Sequence, residues 1–303
     1  MKKELTLLVL LFSVLLNSAF SQLKYSGQIF SKPLYLNAAY SGSDKAPRLV
    51  YSYQSRSVME QLTIRQTYAS FDIGIKASGI GIEYMHIHEP MWITQTIKVS
   101  YAHEFKVGNV NLRPALSAGL VASNFDDDDY TPYIVDQFTN DTFFFEKPSP
   151  VTVFSAGAGV IAKYKGLTVG LYADQINKPV LKYFESNNQK LYPQILAHAD
   201  YRFKIGKSVD IIPGFVYFYN NYHGREYGSS YYQPVLNLRI GVVELGYSPM
   251  FSDNFYDATS LSGGLVWKYF RLKYSYARET HTDVHNWKGS QHEITFSASL
   301  KKE

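Results

Sequence analysis

Four consecutive carboxylates, Asp126-Asp127-Asp128-Asp129, are the densest charge in the sequence. Adjacent like charges repel unless a cation or a basic surface neutralises them. Hard cations take carboxylate oxygens, so calcium is the metal this run could hold. The spacing is not that of an EF-hand loop, and a solvated acidic loop is the ordinary state of such a run. His86 and His88 are two residues apart, hence on one face of a strand, with Glu89 beside them. They could ligate zinc given a further ligand from elsewhere. His281 and His285 flank Asp283 without the spacing of a helical metal site. There is no Gly-x-Ser-x-Gly elbow, no P-loop and no dinucleotide fingerprint. Cysteine is absent, which excludes disulfides and thiolate catalysis. The sequence therefore predicts neither an enzyme nor a cofactor.

The elements that would carry these residues are strands. Leu167, Val169, Leu171 and Ala173 alternate with Thr168, Gly170, Tyr172 and Asp174. A period of two marks a strand with one apolar and one polar face. Upstream, Phe154, Ala156, Ala158, Val160, Ala162 and Tyr164 alternate with Ser155, Gly157, Gly159 and Lys163; Ile161 breaks the polar face. Only Lys165 and Gly166 separate the two runs, and each is about the 9–11 residues a tilted strand needs to cross a bilayer. This is the pattern of a transmembrane β-hairpin. It repeats from Arg48 to the C-terminus in about fourteen candidate strands, an even number as bacterial barrels require. Odd-numbered connections, such as Arg56–Gln66, Glu89–Ile93, Phe125–Pro150 and Asn177–Gln194, read as longer than even-numbered ones. Long extracellular loops and short periplasmic turns distinguish a barrel from a soluble sandwich.

Composition and targeting agree. The chain of 303 residues is 16% aromatic, with 26 Tyr and 19 Phe. Mean hydropathy is only −0.19. Many aromatics without a spanning helix suit a barrel with a polar interior. Met1-Lys2-Lys3, an apolar run from Leu5 to Leu16 and Ala19-Phe20-Ser21 form a signal peptide cleaved near Ser21/Gln22. The expected division is residues 1–21 as signal peptide, 22–47 as an N-terminal docking or plug segment, and 48–303 as the barrel. The net charge of +4 implies no nucleic acid partner. Clusters such as Tyr217-Phe218-Tyr219 and Tyr231-Tyr232 fit the aromatic girdles of a membrane interface. Phe143, Phe144 and Phe145 lie too far from any strand for that and read as an outer-loop contact.

The stretch Pro33-Leu34-Tyr35-Leu36-Asn37-Ala38-Ala39-Tyr40-Ser41-Gly42 resembles the Pro-Leu-x-Leu-Asn-Pro-Ala-Tyr-x-Gly signature of the PorP/SprF family. The resemblance continues at Arg48 to Arg56, Gly74 to Tyr84, Ala156 to Pro179 and the closing His292-Glu293-Ile294 strand. Ala38 stands where the family has Pro, and Ser55-Arg56 replaces its usual Trp. The resemblance implies an outer-membrane barrel of the type IX secretion and gliding-motility machinery. It implies a scaffold or anchor for secretion machinery, or for the surface attachment of a secreted adhesin. Its partners would be outer-membrane lipid, type IX cargo and an OmpA-like peptidoglycan-binding protein. A passive channel for a small or hydrophobic solute is the alternative. Pro33, Tyr35, Asn37, Tyr40 and Gly42 are the expected partner-binding or plug residues. Packing inside the barrel is the plainer role for the same segment.

Overall fold

A computed structural model describes residues 26–58, 62–90, 92–126, 149–182, 188–206, 208–220, 229–252, 256–281 and 288–300. The expected signal peptide, Asp127, Asp128, Asp129, Phe143, Phe144 and Phe145 lie outside the described residues.

Fourteen antiparallel strands close into one barrel. They are β1 (Arg48–Val58), β2 (Leu62–Ile75), β3 (Ser78–Glu89) and β4 (Trp92–His103, continued by Phe105–Val107). Then come β5 (Val110–Phe125), β6 (Val151–Tyr164), β7 (Leu167–Asp174) and β8 (Gln194–Tyr201, continued by Phe203–Ile205). The remainder are β9 (Val209–Asn220), β10 (Ser229–Ile240), β11 (Val243–Ser252), β12 (Tyr256–Trp267), β13 (Phe270–His281) and β14 (Lys288–Ser299). Each pairs with its sequence neighbour, and β1 pairs with β14 from Arg48↔Ser299 to Ser57↔Ser290. Closure leaves no sheet edge to satisfy in lipid.

Alternation decides which face meets what. On β1, Leu49, Tyr51 and Tyr53 are exposed, while Val50, Ser52 and Gln54 are buried. On β13, Leu272, Tyr274 and Tyr276 face out, and Lys273, Ser275 and Ala277 face in. The outer wall is therefore apolar and the lumen mixed, as a lipid-embedded barrel requires. On β7, Leu167, Val169 and Leu171 lie on the outer wall, and Tyr172 and Asp174 point inward.

Two expectations are corrected. Arg56 and Leu62–Gln66 belong to strands, and only residues 59–61 connect β1 to β2. Likewise β3 and β4 pair out to Glu89↔Trp92, with residues 90–91 between them. Hydrogen-bonded pairing continues past the apolar band, so these connections, like 253–255, are as short as the turns opposite. The aromatic clusters also split by strand parity. Tyr217 and Tyr232 face outward, but Phe218 and Tyr231 are each 1% exposed and stack inside the lumen at 5.0 Å.

One wall has an interruption. The β10–β11 ladder passes from Tyr232↔Phe251 to Leu236↔Tyr247 in constant register, skipping three pairs. That register puts Pro234 opposite Pro249, and neither has an N–H to donate. On the lumen side Gln233 Nε2 donates to Ser248 Oγ at 2.7 Å across the gap.

Candidate functional site

The run preceding β1 lies inside the barrel. It has three short turns: Ile29–Ser31, Pro33–Leu36 and Ala38–Tyr40. Pro33 opens the helical turn at the one position where a missing N–H costs nothing. Asn37 is extended, and its Oδ1 accepts from Ala39 N at 2.9 Å, which starts the last turn. Every residue from Leu34 to Ala39 is buried.

Bonds tie this run to opposite sides of the lumen. At its start, Ser26 Oγ donates to Glu293 at 2.8 Å, and Gln233 Nε2 of β10 donates to Ser26 O at 2.9 Å. Gln28 Nε2 donates to Ser275 Oγ of β13 at 3.0 Å. Lys32 and Glu293 form an ion pair at 2.7 Å, with side chains 1% and 0% exposed. Lys32 Nζ also sits 4.7 Å from the centroid of the Tyr35 ring, which meets Tyr68 edge-on at 5.4 Å.

Across the lumen, Asn37 Nδ2 donates to Val160 O at 3.2 Å and Leu171 O at 3.1 Å. Two glycines make room for it. A Cβ on Gly159 would fall 2.4 Å from Asn37 Oδ1, and one on Gly170 only 2.1 Å from His198 Nε2. Ile161, which broke the polar face of β6, packs with Ala38, Ala39 and Tyr172. Tyr40 stacks on His198 at 5.5 Å, and Lys163 Nζ lies 5.5 Å from its ring centroid.

At the exit, Arg113 donates to the carbonyls of Ala39, at 3.2 Å, and Ser41. Gly42 adopts φ 62°, and a Cβ there would approach Ile73 O to 2.5 Å and the Cα atoms of Gly74 and Gly79 to 2.6 and 2.7 Å. Only glycine meets both demands. Gly42 N donates to Asp72 Oδ1 at 2.9 Å, and Asp72 Oδ2 accepts from Arg48 Nε at 2.9 Å. Burial pushes the Tyr35 and Tyr40 hydroxyls above the ordinary tyrosine range.

Pro33, Tyr35, Asn37, Tyr40 and Gly42 are thus brought together in one buried segment. The segment's partners Asp72, Arg113 and His198 escaped sequence reasoning, and Glu293 entered it only as part of the closing strand, because each acts across the barrel from a distant strand. Cavities flank the segment. One of about 180 Å³ lies among short-turn ends, lined by Phe30, Leu36, Tyr40, Arg202 and Arg239. Another of about 20 Å³ is lined by Tyr35, Tyr68, Lys98 and Asp174, of which the last two form an ion pair. Of the metal candidates, Asp127, Asp128, Asp129, Asp283 and His285 lie outside the described residues. Asp126 Oδ2 lies 2.8 Å from His88 Nε2, and His86 meets Gln95 at 3.4 Å. Among the described residues, no group of three or more His, Asp or Glu could hold a metal ion.

An apolar outer wall, a closed ladder and a polar lumen filled from the N-terminus define an outer-membrane β-barrel. The model of the type IX secretion system membrane protein PorP/SprF family matches residues 18–298, and the chain belongs to that family. Among solved structures, the CymD monoaromatic hydrocarbon channel is 11% identical, covering 89% of this chain and 93% of its own, at a TM-score of 0.55. The TodX deltaS2S3 mutant, also a monoaromatic hydrocarbon channel, is 6% identical, covering 85% and 89%, at a TM-score of 0.51. At such identities the likeness is one of fold. No curated protein matches the sequence.

Proposed function

We propose that this protein is a non-enzymatic, plugged barrel that serves type IX secretion as an outer-membrane scaffold. One observation carries the reading: the chain's own residues 26–42 occupy the lumen and bond to strands on opposite walls. A bore crossed by so many polar bonds is closed to free diffusion in this state. A scaffold gains a rigid body whose loops and mouth can hold other proteins. Family membership supports secretion machinery as the partner class. A secreted adhesin or other cargo would be held at the long-loop end. An OmpA-like peptidoglycan-binding protein would be held at the short-turn end, which is periplasmic in bacterial barrels.

Pro33, Tyr35, Asn37, Tyr40 and Gly42 are proposed as the plug that shapes the mouth. Tyr40 and Phe30 line its larger cavity. The test replaces Tyr35 and Tyr40 together by alanine. The strands are untouched, so the heat-modifiable gel shift of a folded barrel should persist. Surface cargo or co-purified partner should fall. A folded variant with normal cargo and partner levels would reduce the segment to packing.

A further inference from the structure

The six turns at the end opposite connections 59–61, 90–91 and 253–255 share one backbone feature. The first residue of each lies in the left-handed region: Lys76 (φ 57°), Gly108 (58°), Lys165 (51°), Gly206 (64°), Gly241 (58°) and Lys268 (51°). Glycine belongs there, whereas the Cβ of any other L-residue crowds the following carbonyl. Asn and Asp are the usual exceptions, and lysine is not one of them. Three of these turns therefore keep a strained lysine where the other three show that glycine serves.

The glycine turns place a cation nearby instead. Lys106, Lys204 and Arg239 each stand two residues before their glycine. Every short turn thus carries a cation within two residues of the same backbone position. Beside these cations the outer wall exposes Ile75, Phe105, Tyr164, Phe203, Ile240 and Trp267. Lys165 Nζ lies 5.2 Å from the Tyr164 ring centroid, and Lys268 Nζ 5.5 Å from that of Trp267. An aromatic body in the apolar layer with a cation just beyond it marks a membrane interface. Asp210 stands opposite Lys204 and Arg239 in the ladders, so those two cations have a carboxylate beside them, whereas three other acidic residues at this end are engaged on the lumen side. Asp44 pairs with Arg48 at 2.7 Å, Glu104 with Arg113 at 3.4 Å and Glu244 with Lys273 at 2.9 Å.

We propose that the three turn lysines, Lys76, Lys165 and Lys268, bind the phosphate headgroups of anionic phospholipids in the leaflet at the short-turn end. A lysine is a compact charge on a flexible stem, suited to phosphates that have no fixed position. An anionic leaflet attracts each basic side chain held near its surface. Strain at the turn is retained because glycine would give up that charge.

The test compares the wild type with a variant carrying Lys76→Gly, Lys165→Gly and Lys268→Gly. Both are placed in phosphatidylcholine vesicles with and without phosphatidylglycerol. Loss of the folded gel band on heating reports stability, and native mass spectrometry counts retained lipid. In phosphatidylcholine the variant should be at least as stable as the wild type, because the strain is gone. Its retention of phosphatidylglycerol should fall by about fivefold or more, and the stability gained from that lipid should vanish. An undiminished lipid gain in the variant overturns the proposal. So does a variant already less stable in phosphatidylcholine, which would make the lysines part of the turn structure. A wild type indifferent to phosphatidylglycerol, with an acidic protein that is lost together with the lysines, would also overturn it and leave a protein-docking rim.

Discussion

At the scale of single residues, the buried polar groups of the lumen hold the N-terminal segment. The Lys32–Glu293 pair is the clearest case, sealed from water and reinforced by Ser26 and by Ser52 at 3.2 Å. Removing one partner of a buried pair costs about 3–5 kcal/mol, whereas an exposed pair is worth about 0–1 kcal/mol. Lys32→Met should therefore lower the unfolding midpoint in urea by an amount in the buried class. Adding Glu293→Leu should recover part of the loss, since no orphan charge remains. A cost of the exposed class for Lys32→Met alone would mean that this pair does not anchor the segment. Asn37→Ala removes the side chain's bonds to Ala39, Val160, Leu171 and His198 at once and should cost about 1–3 kcal/mol in the same assay. Part of this site is legible in sequence. Gly42 sits where a turn residue is needed, and Ile161 breaks a polar face because it lies under Ala38 and Ala39. The Lys32–Glu293 pairing is not legible. Its members stand 261 positions apart and meet only once the first and last strands close the barrel.

At the scale of elements, the period of two carries most of the information. All fourteen strands can be read from alternation, including the pair at Ile240 and Val243, where the connection is only Gly241-Val242. What alternation does not give is where pairing stops at the long-loop end. Strand hydrogen bonds continue into residues whose side chains no longer report a membrane, as between Ser57 and Thr63. Aromatic identity assigns no face either, since it suits lipid and lumen alike; strand parity is what sends Phe218 and Tyr231 inward. The faces of β7 make a direct comparison. Val169→Arg on the lipid wall should cost about 2–4 kcal/mol, while Thr168→Ser toward the lumen should be mild. Both are read as loss of the folded gel band on heating in vesicles. Equal damage at the two positions would contradict a wall with lipid on one side.

At the scale of the whole molecule, the barrel has two unlike ends and a filled middle. Tags placed in 183–187 should react on intact cells, and tags at Lys165–Gly166 should react only after the outer membrane is opened. Labelling of Lys165 on intact cells would invert the topology. The central claim is that residues 26–42 close the bore, so that the barrel acts by holding proteins rather than by passing solutes. Planar-bilayer conductance of the purified full-length protein tests it most directly. The plugged barrel should give small, infrequent current steps, and removal of Ile29–Gly42 should raise them. A large, stable, ion-selective conductance from the intact chain would contradict the claim.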